Sequence, residues 1–143
     1  MRKWIAISII LLSITAFSEP GKFLKTPITE NWFYLGETKE GHKYYLDLDS
    51  IKKKPGDEID GPRVRVNMKT IYAGEEIIET MKVKEEIVKV WFDCESETHL
   101  IIQMRFYDKD NKLINIWNSP QADYSPITNN ESFVKMVFNR VCK

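Results

Sequence analysis

Few residues in this chain could do chemistry, and their spacing decides how far each can go. Asp47 and Asp49 flank Leu48 near the end of an alternating stretch. Two carboxylates on one strand face are what a general acid/base pair or a divalent-ion site requires. No His or third carboxylate is placed beside them, so a turn or a solvated pair is the favoured reading. His42 and His99 are the only histidines, and neither has a nucleophile or carboxylate at a marked position. Asp108-Lys109-Asp110-Asn111-Lys112 has the look of a calcium loop, but Lys112, Leu113 and Ser119 stand where such a loop needs an oxygen ligand, a glycine and a glutamate. It reads as a tight turn between strands. Lys52-Lys53-Lys54 is followed by Asp57, Glu58 and Asp60, which makes a solvated loop of what could be a basic patch. Cys94 and Cys142 are the only cysteines, and a paired thiol has no thiolate to attack with. No catalytic residue, metal site or cofactor is assigned, and the chain is read as a non-enzyme.

These residues hang on alternating stretches. Tyr44, Leu46 and Leu48 oppose Lys43, Tyr45 and Asp47; Val64, Val66, Met68 and Thr70 oppose Arg63, Arg65, Asn67 and Lys69. A period of two is the signature of a half-buried strand. Val88-Lys89-Val90-Trp91-Phe92-Asp93-Cys94 is the central one, with Val88, Val90, Phe92 and Cys94 on one face. Leu100, Ile102, Met104 and Phe106 alternate with Ile101, Gln103, Arg105 and Tyr107, and Lys112 to Trp117 closes the series. Asn31 to Gly36 pairs with His42 to Asp49 as a hairpin. Gly74 to Glu86 fits either a helix face or an extension of the next strand, with a strand from about Met81 favoured. Short links between consecutive strands predict antiparallel pairing. Thr128 to Glu131 has the spacing of a capping box, and Phe133, Val134, Val137, Phe138, Val141 and Cys142 share half of the following helical wheel, with Lys135 outside it. Such a short helix must dock, and Cys142 directs it to the face that carries Cys94. The expected fold is α+β: an antiparallel sheet with a C-terminal helix on one face, tied by a Cys94–Cys142 disulfide.

The opposite face then carries Tyr45, Asp47, Arg63, Arg65, Lys69, Lys89, Trp91, Asp93, Arg105 and Tyr107. Exposed Arg, Tyr and Trp together have the composition of an interface; the other reading is an ordinary solvated sheet face. Tyr45, Arg63, Arg65, Lys69, Trp91, Arg105 and Tyr107 are the candidate interface residues.

The chain has 143 residues, a single-domain length. Arg2 and Lys3, the apolar run from Trp4 to Phe17 and the small residues Ala16 and Ser18 predict a signal peptide over residues 1–18, cut before Glu19. The run rises only about 21 Å at 1.5 Å per residue, short of a membrane span. No cysteine near the cut offers a lipid site, so no membrane anchor is expected after cleavage. Residues 19–30, with Pro20, Gly21 and Pro27, read as a flexible leader to a domain over residues 31–143. The chain is formally neutral, and loss of Arg2 and Lys3 leaves it slightly acidic. That balance argues against nucleic acid as a partner. Export favours pairing of the two cysteines.

Trp32-Phe33-Tyr34-Leu35-Gly36, Tyr44 to Ile51, Val64-Arg65-Val66, Phe92-Asp93-Cys94 and Val141-Cys142 resemble the surface-adhesin E family of exported bacterial proteins, roughly from Trp32 to Lys143. The resemblance implies a curved antiparallel sheet of about six strands, a C-terminal helix disulfide-tied to it, and dimers. It also implies adhesion to host extracellular-matrix proteins such as laminin, and binding of plasminogen. The expected location is periplasmic, at the cell surface or secreted. The alternative reading is a periplasmic protein that binds a small ligand or assists envelope assembly.

Overall fold

The computed structural model describes residues 31–56, 61–119, 124–127 and 132–143. The predicted signal peptide and leader, and the Thr128 and Glu131 of the predicted capping box, lie outside the described residues.

The strands are β1 (Trp32–Glu37), β2 (Lys43–Asp47), β3 (Lys52–Lys54), β4 (Arg63–Ile78), β5 (Met81–Asp93), β6 (Thr98–Tyr107), β7 (Leu113–Asn118) and β8 (Ser125–Pro126), followed by helix α1 (Phe133–Cys142). They form one open antiparallel sheet in the order β1-β2-β4-β5-β6-β7, with β3 added to β4 and β8 to β6. Among the described residues there are thus eight strands instead of about six. The two extra ones come from the segment read as a solvated loop and from the link between β7 and the helix. Lys52–Lys54 folds back on Arg63–Arg65, and Pro126, which has no N–H to give, sits at a sheet edge where none is needed. The protein is mostly sheet, so α+β describes it loosely.

The stretch from Gly74 to Glu86 holds no helix: it is the end of β4 and the start of β5, from Met81, joined by a turn at Glu79–Thr80. β4 and β5 pair from Arg63↔Asp93 to Ile78↔Met81, interrupted where Tyr72 to Glu75 bulge opposite Lys84. The Lys84 ammonium donates to the carbonyls of Tyr72 (2.6 Å) and Ala73 (2.9 Å), groups that have lost their ladder partners there. A second bulge corrects the alternation expected of β6. Lys89 pairs with Gln103 but Val90 pairs with Ile101, so Ile102 is the extra residue and its carbonyl accepts from Ser119 N at 2.9 Å. Beyond it the faces exchange: Ile101 and His99 join Met104 and Phe106 on the helix side, and Leu100 goes to the other.

Leu46, Val64, Val66, Val90, Phe92, Val137, Phe138 and Val141 make the core between sheet and helix. Cys94 and Cys142 are bonded, with their Cα atoms 5.3 Å apart. The helix starts later than the capping box predicts. Ile127 N still donates to Glu97 O, keeping the chain extended at the sheet edge, and the cap is Ser132, whose hydroxyl accepts from Lys135 N at 3.1 Å. Lys135 is buried rather than outside the apolar half-wheel; its ammonium lies 3.5 Å from Glu97 and 4.9 Å over the Phe138 ring. Phe133 stacks on Tyr44 at 3.8 Å. It can do so because Gly36 has no Cβ: one placed there would stand 3.1 Å from the Phe133 ring, on a backbone with φ of +149°.

Candidate functional site

The register places all the candidate interface residues on the face opposite α1. Tyr45, Lys69, Ile87 and Arg105 lie along one row across β2, β4, β5 and β6. Arg65 pairs with Trp91, Arg63 with Asp93, and Tyr107 with Glu85. The face is less open than alternation suggests. These residues are half-buried, and Asp47 is only 9% exposed. The cause is that cations fold over rings. Lys69 Nζ lies 4.2 Å from the Trp32 ring and 5.4 Å from Tyr45; the Arg65 guanidinium lies 5.8 Å from Trp91, and that of Arg63 5.4 Å from Tyr124. Tyr34 leans on Tyr45 at 5.4 Å.

Lys89 sits among these cations. Burial holds its ammonium below the usual lysine range, and the charges of Arg65 and Arg105 push it the same way. No ion pair to Arg65, Lys89 or Arg105 occurs among the described residues. Three neighbouring cations therefore meet the solvent together, beside an indole. Trp32 and Lys89 are not among the candidate interface residues; the alternation of Trp32 with Tyr34, opposite Asp47 and Tyr45, is the signal for the first.

The remaining chemistry-bearing residues have local roles. Asp47 caps the 3-10 turn Leu48–Ser50, accepting from Asp49 N at 3.1 Å, so the two carboxylates do not face each other as a catalytic pair. Asp108 accepts from Asp110 N and Lys112 N, both at 2.9 Å, which makes it a turn residue. His42 accepts from Ala73 N at 3.2 Å and packs edge-on against Tyr72. No group of three His, Cys, Asp or Glu among the described residues is placed to hold a metal ion.

A second concavity lies on the helix side, beside the first turn of α1. It is a trough of about 480 Å³ floored by Met68, Val88, Ile101 and Met104 and walled by Phe133 and Val134. Glu86 lies at one end, its Oε2 accepting from the Tyr72 hydroxyl at 3.0 Å. Burial raises the Glu86 carboxyl above its ordinary range despite that bond; burial first, and then the Glu86 charge, raises the Tyr72 phenol. Sequence reasoning assigned no residue here, because the trough depends on how much of the sheet the helix leaves uncovered.

A family model described as surface-adhesin protein E matches residues 32–143, from the first strand to the end of the chain. The chain belongs to that family. Two solved structures of Haemophilus influenzae protein E are similar to it. The selenomethionine form has 13% identity and a TM-score of 0.48, covering 76% of this chain and 84% of that one. The other has 12% identity and a TM-score of 0.47, covering 79% and 94%. No curated protein matches the chain. Membership supports a surface adhesin, a surface-exposed protein that acts by binding. No helix among the described residues is long and apolar enough to cross a membrane.

Proposed function

We propose that this adhesin-family chain is exported by a cleaved signal peptide over residues 1–18, and that residues 31–143 form the domain that binds host extracellular-matrix protein or plasminogen. The binding surface is the sheet face opposite α1. The observation that carries this reading is the cluster of Arg65 and Arg105 around Lys89, with Trp91 beneath Arg65 and no ion pair to these three cations among the described residues. Repulsion among grouped cations is relieved when an acidic partner surface covers them, and the neighbouring Trp and Tyr rings supply apolar area at low entropic cost. Tyr45, Arg63, Lys69 and Tyr107 extend the same surface. The outer edge of β7, uncharged and exposed along its length, suits pairing with a second copy in a homodimer.

The test is the double variant Trp91→Ala/Arg65→Ala, measured by surface plasmon resonance against laminin and plasminogen. It is expected to keep the parent's circular dichroism and its disulfide while losing at least about tenfold in affinity. Undiminished binding by the folded variant would remove this face from the proposal, and unfolding would overturn its assignment as a surface. Added protease should cleave the protein on intact cells; protection would favour the periplasmic small-ligand or envelope-assembly reading.

A further inference from the structure

The trough on the helix side has a composition the adhesion face does not explain. α1 covers Leu46, Val66 and Phe92 and leaves the row of Met68, Val88 and Met104 as an open floor. From Glu86 through Val88 to Val90 the floor runs about 13 Å at roughly 3.3 Å per strand residue. Its lining is apolar along the middle, with two methionines whose unbranched side chains adapt to a flexible guest. The polar groups stand at the ends. His99 marks one, and its Nδ1 is buried without a hydrogen-bond partner among the described residues. Glu86 marks the other, held by Tyr72. Neither Lys nor Arg is among the lining residues.

We propose that this trough binds a single-chain amphiphile with a primary amine head, the chain lying on Val88, Val90 and Met104 and the ammonium on Glu86. The shape selects the chain: an apolar floor about 13 Å long buries methylenes one after another. The charge selects the head. A half-buried carboxyl whose hydrogen-bond donor is one hydroxyl gains most from a cation brought into the same low-dielectric place, and no Lys or Arg among the described residues lines the trough. A carboxylate head would set two anions together. An alcohol could donate to Glu86 but could not neutralise it, and no lysine or arginine among the described residues lines the trough to do so. The site lies on the opposite side of the sheet from the cationic face, so it stands or falls independently of adhesion.

Isothermal titration of the intact disulfide-bonded protein with hexylamine, octylamine, octanol and octanoate tests the assignment. Octylamine is expected to bind saturably and at least about tenfold more tightly than octanoate, and affinity should rise roughly fourfold per added methylene. Glu86→Gln keeps the shape and an acceptor for Tyr72, and is expected to level octylamine with octanol. Met104→Trp fills the floor and is expected to abolish binding with the thermal midpoint retained. Absence of saturable octylamine binding, equal binding of octanoate, or an amine preference that survives Glu86→Gln would each overturn the proposal. The last of these holds whether or not the Met104 variant folds.

Discussion

Phe92 and Trp91 are neighbours in β5 and meet different worlds. Phe92 is fully buried, its ring 6.0 Å from Phe138 of the helix, in a cluster closed by the Cys94–Cys142 bond. Trp91 lies half-buried beneath an arginine, in a row that continues into β4 as Arg65 and into β6 as Leu100. One face of the sheet is stabilised by removing apolar surface from water. The other is covered by its own long cationic side chains, whose charged ends lie over Trp and Tyr rings. The difference separates two requirements that compete in small domains. The larger core lies on the helix side; the opposite side buries Val83 and Ile87 and also holds grouped like charges that a core could not accommodate.

That separation can be broken experimentally. Phe92→Ala is expected to cost about 3–5 kcal/mol by urea unfolding, whereas Lys89→Ala should change stability by less than about 0.5 kcal/mol, since it also relieves repulsion with Arg65 and Arg105. Similar costs at the two positions would mean that both faces are structural. Replacing Cys94 and Cys142 together by serine opens a loop with a sequence separation of 48 and should cost about 4 kcal/mol in the same assay. Partner binding by the fraction still folded should be unchanged; weakened binding would show that the faces communicate.

Glu86→Gln gives a pH-dependent effect and sharpens the picture of the helix side. Burial raises the folded carboxyl above its ordinary 4.5. The stability linked to this group is therefore full below the unfolded value and is lost as pH rises through the folded one. The variant should be more stable than the parent near neutral pH, with the difference fading in acid, as followed by thermal unfolding across pH.

Much of this was legible in the residues. The alternation of Val64, Val66, Met68 and Thr70 against Val88, Val90 and Phe92 fixes which faces meet the helix, because a register slip of one would bury lysines. It also gathers Arg65, Trp91 and Arg105 on the far side. What alternation could not show was where it stops. At Tyr72 to Glu75 and at Ile102 the faces exchange, and each bulge is decided by the strand opposite, not by local preference. The Ser132 cap was hidden for a similar reason: Ile127 is still held at the sheet edge by Glu97, a contact that local spacing does not show. The half-burial of the cationic face was equally out of reach, since it depends on which ring each long side chain finds.

Lys84 has a consequence for the company the sheet keeps. Pairing of β2 with β4 ends at Ile71, and the next carbonyls of β4 would be open acceptors for any passing strand. The ammonium of Lys84 occupies those of Tyr72 and Ala73, so the backbone there is insulated without a further strand being built. β7 carries no such guard. If concentrated protein polymerises, growth should begin at Leu113–Asn118 and not where β2 leaves off, and one lysine accounts for the silence of that second site.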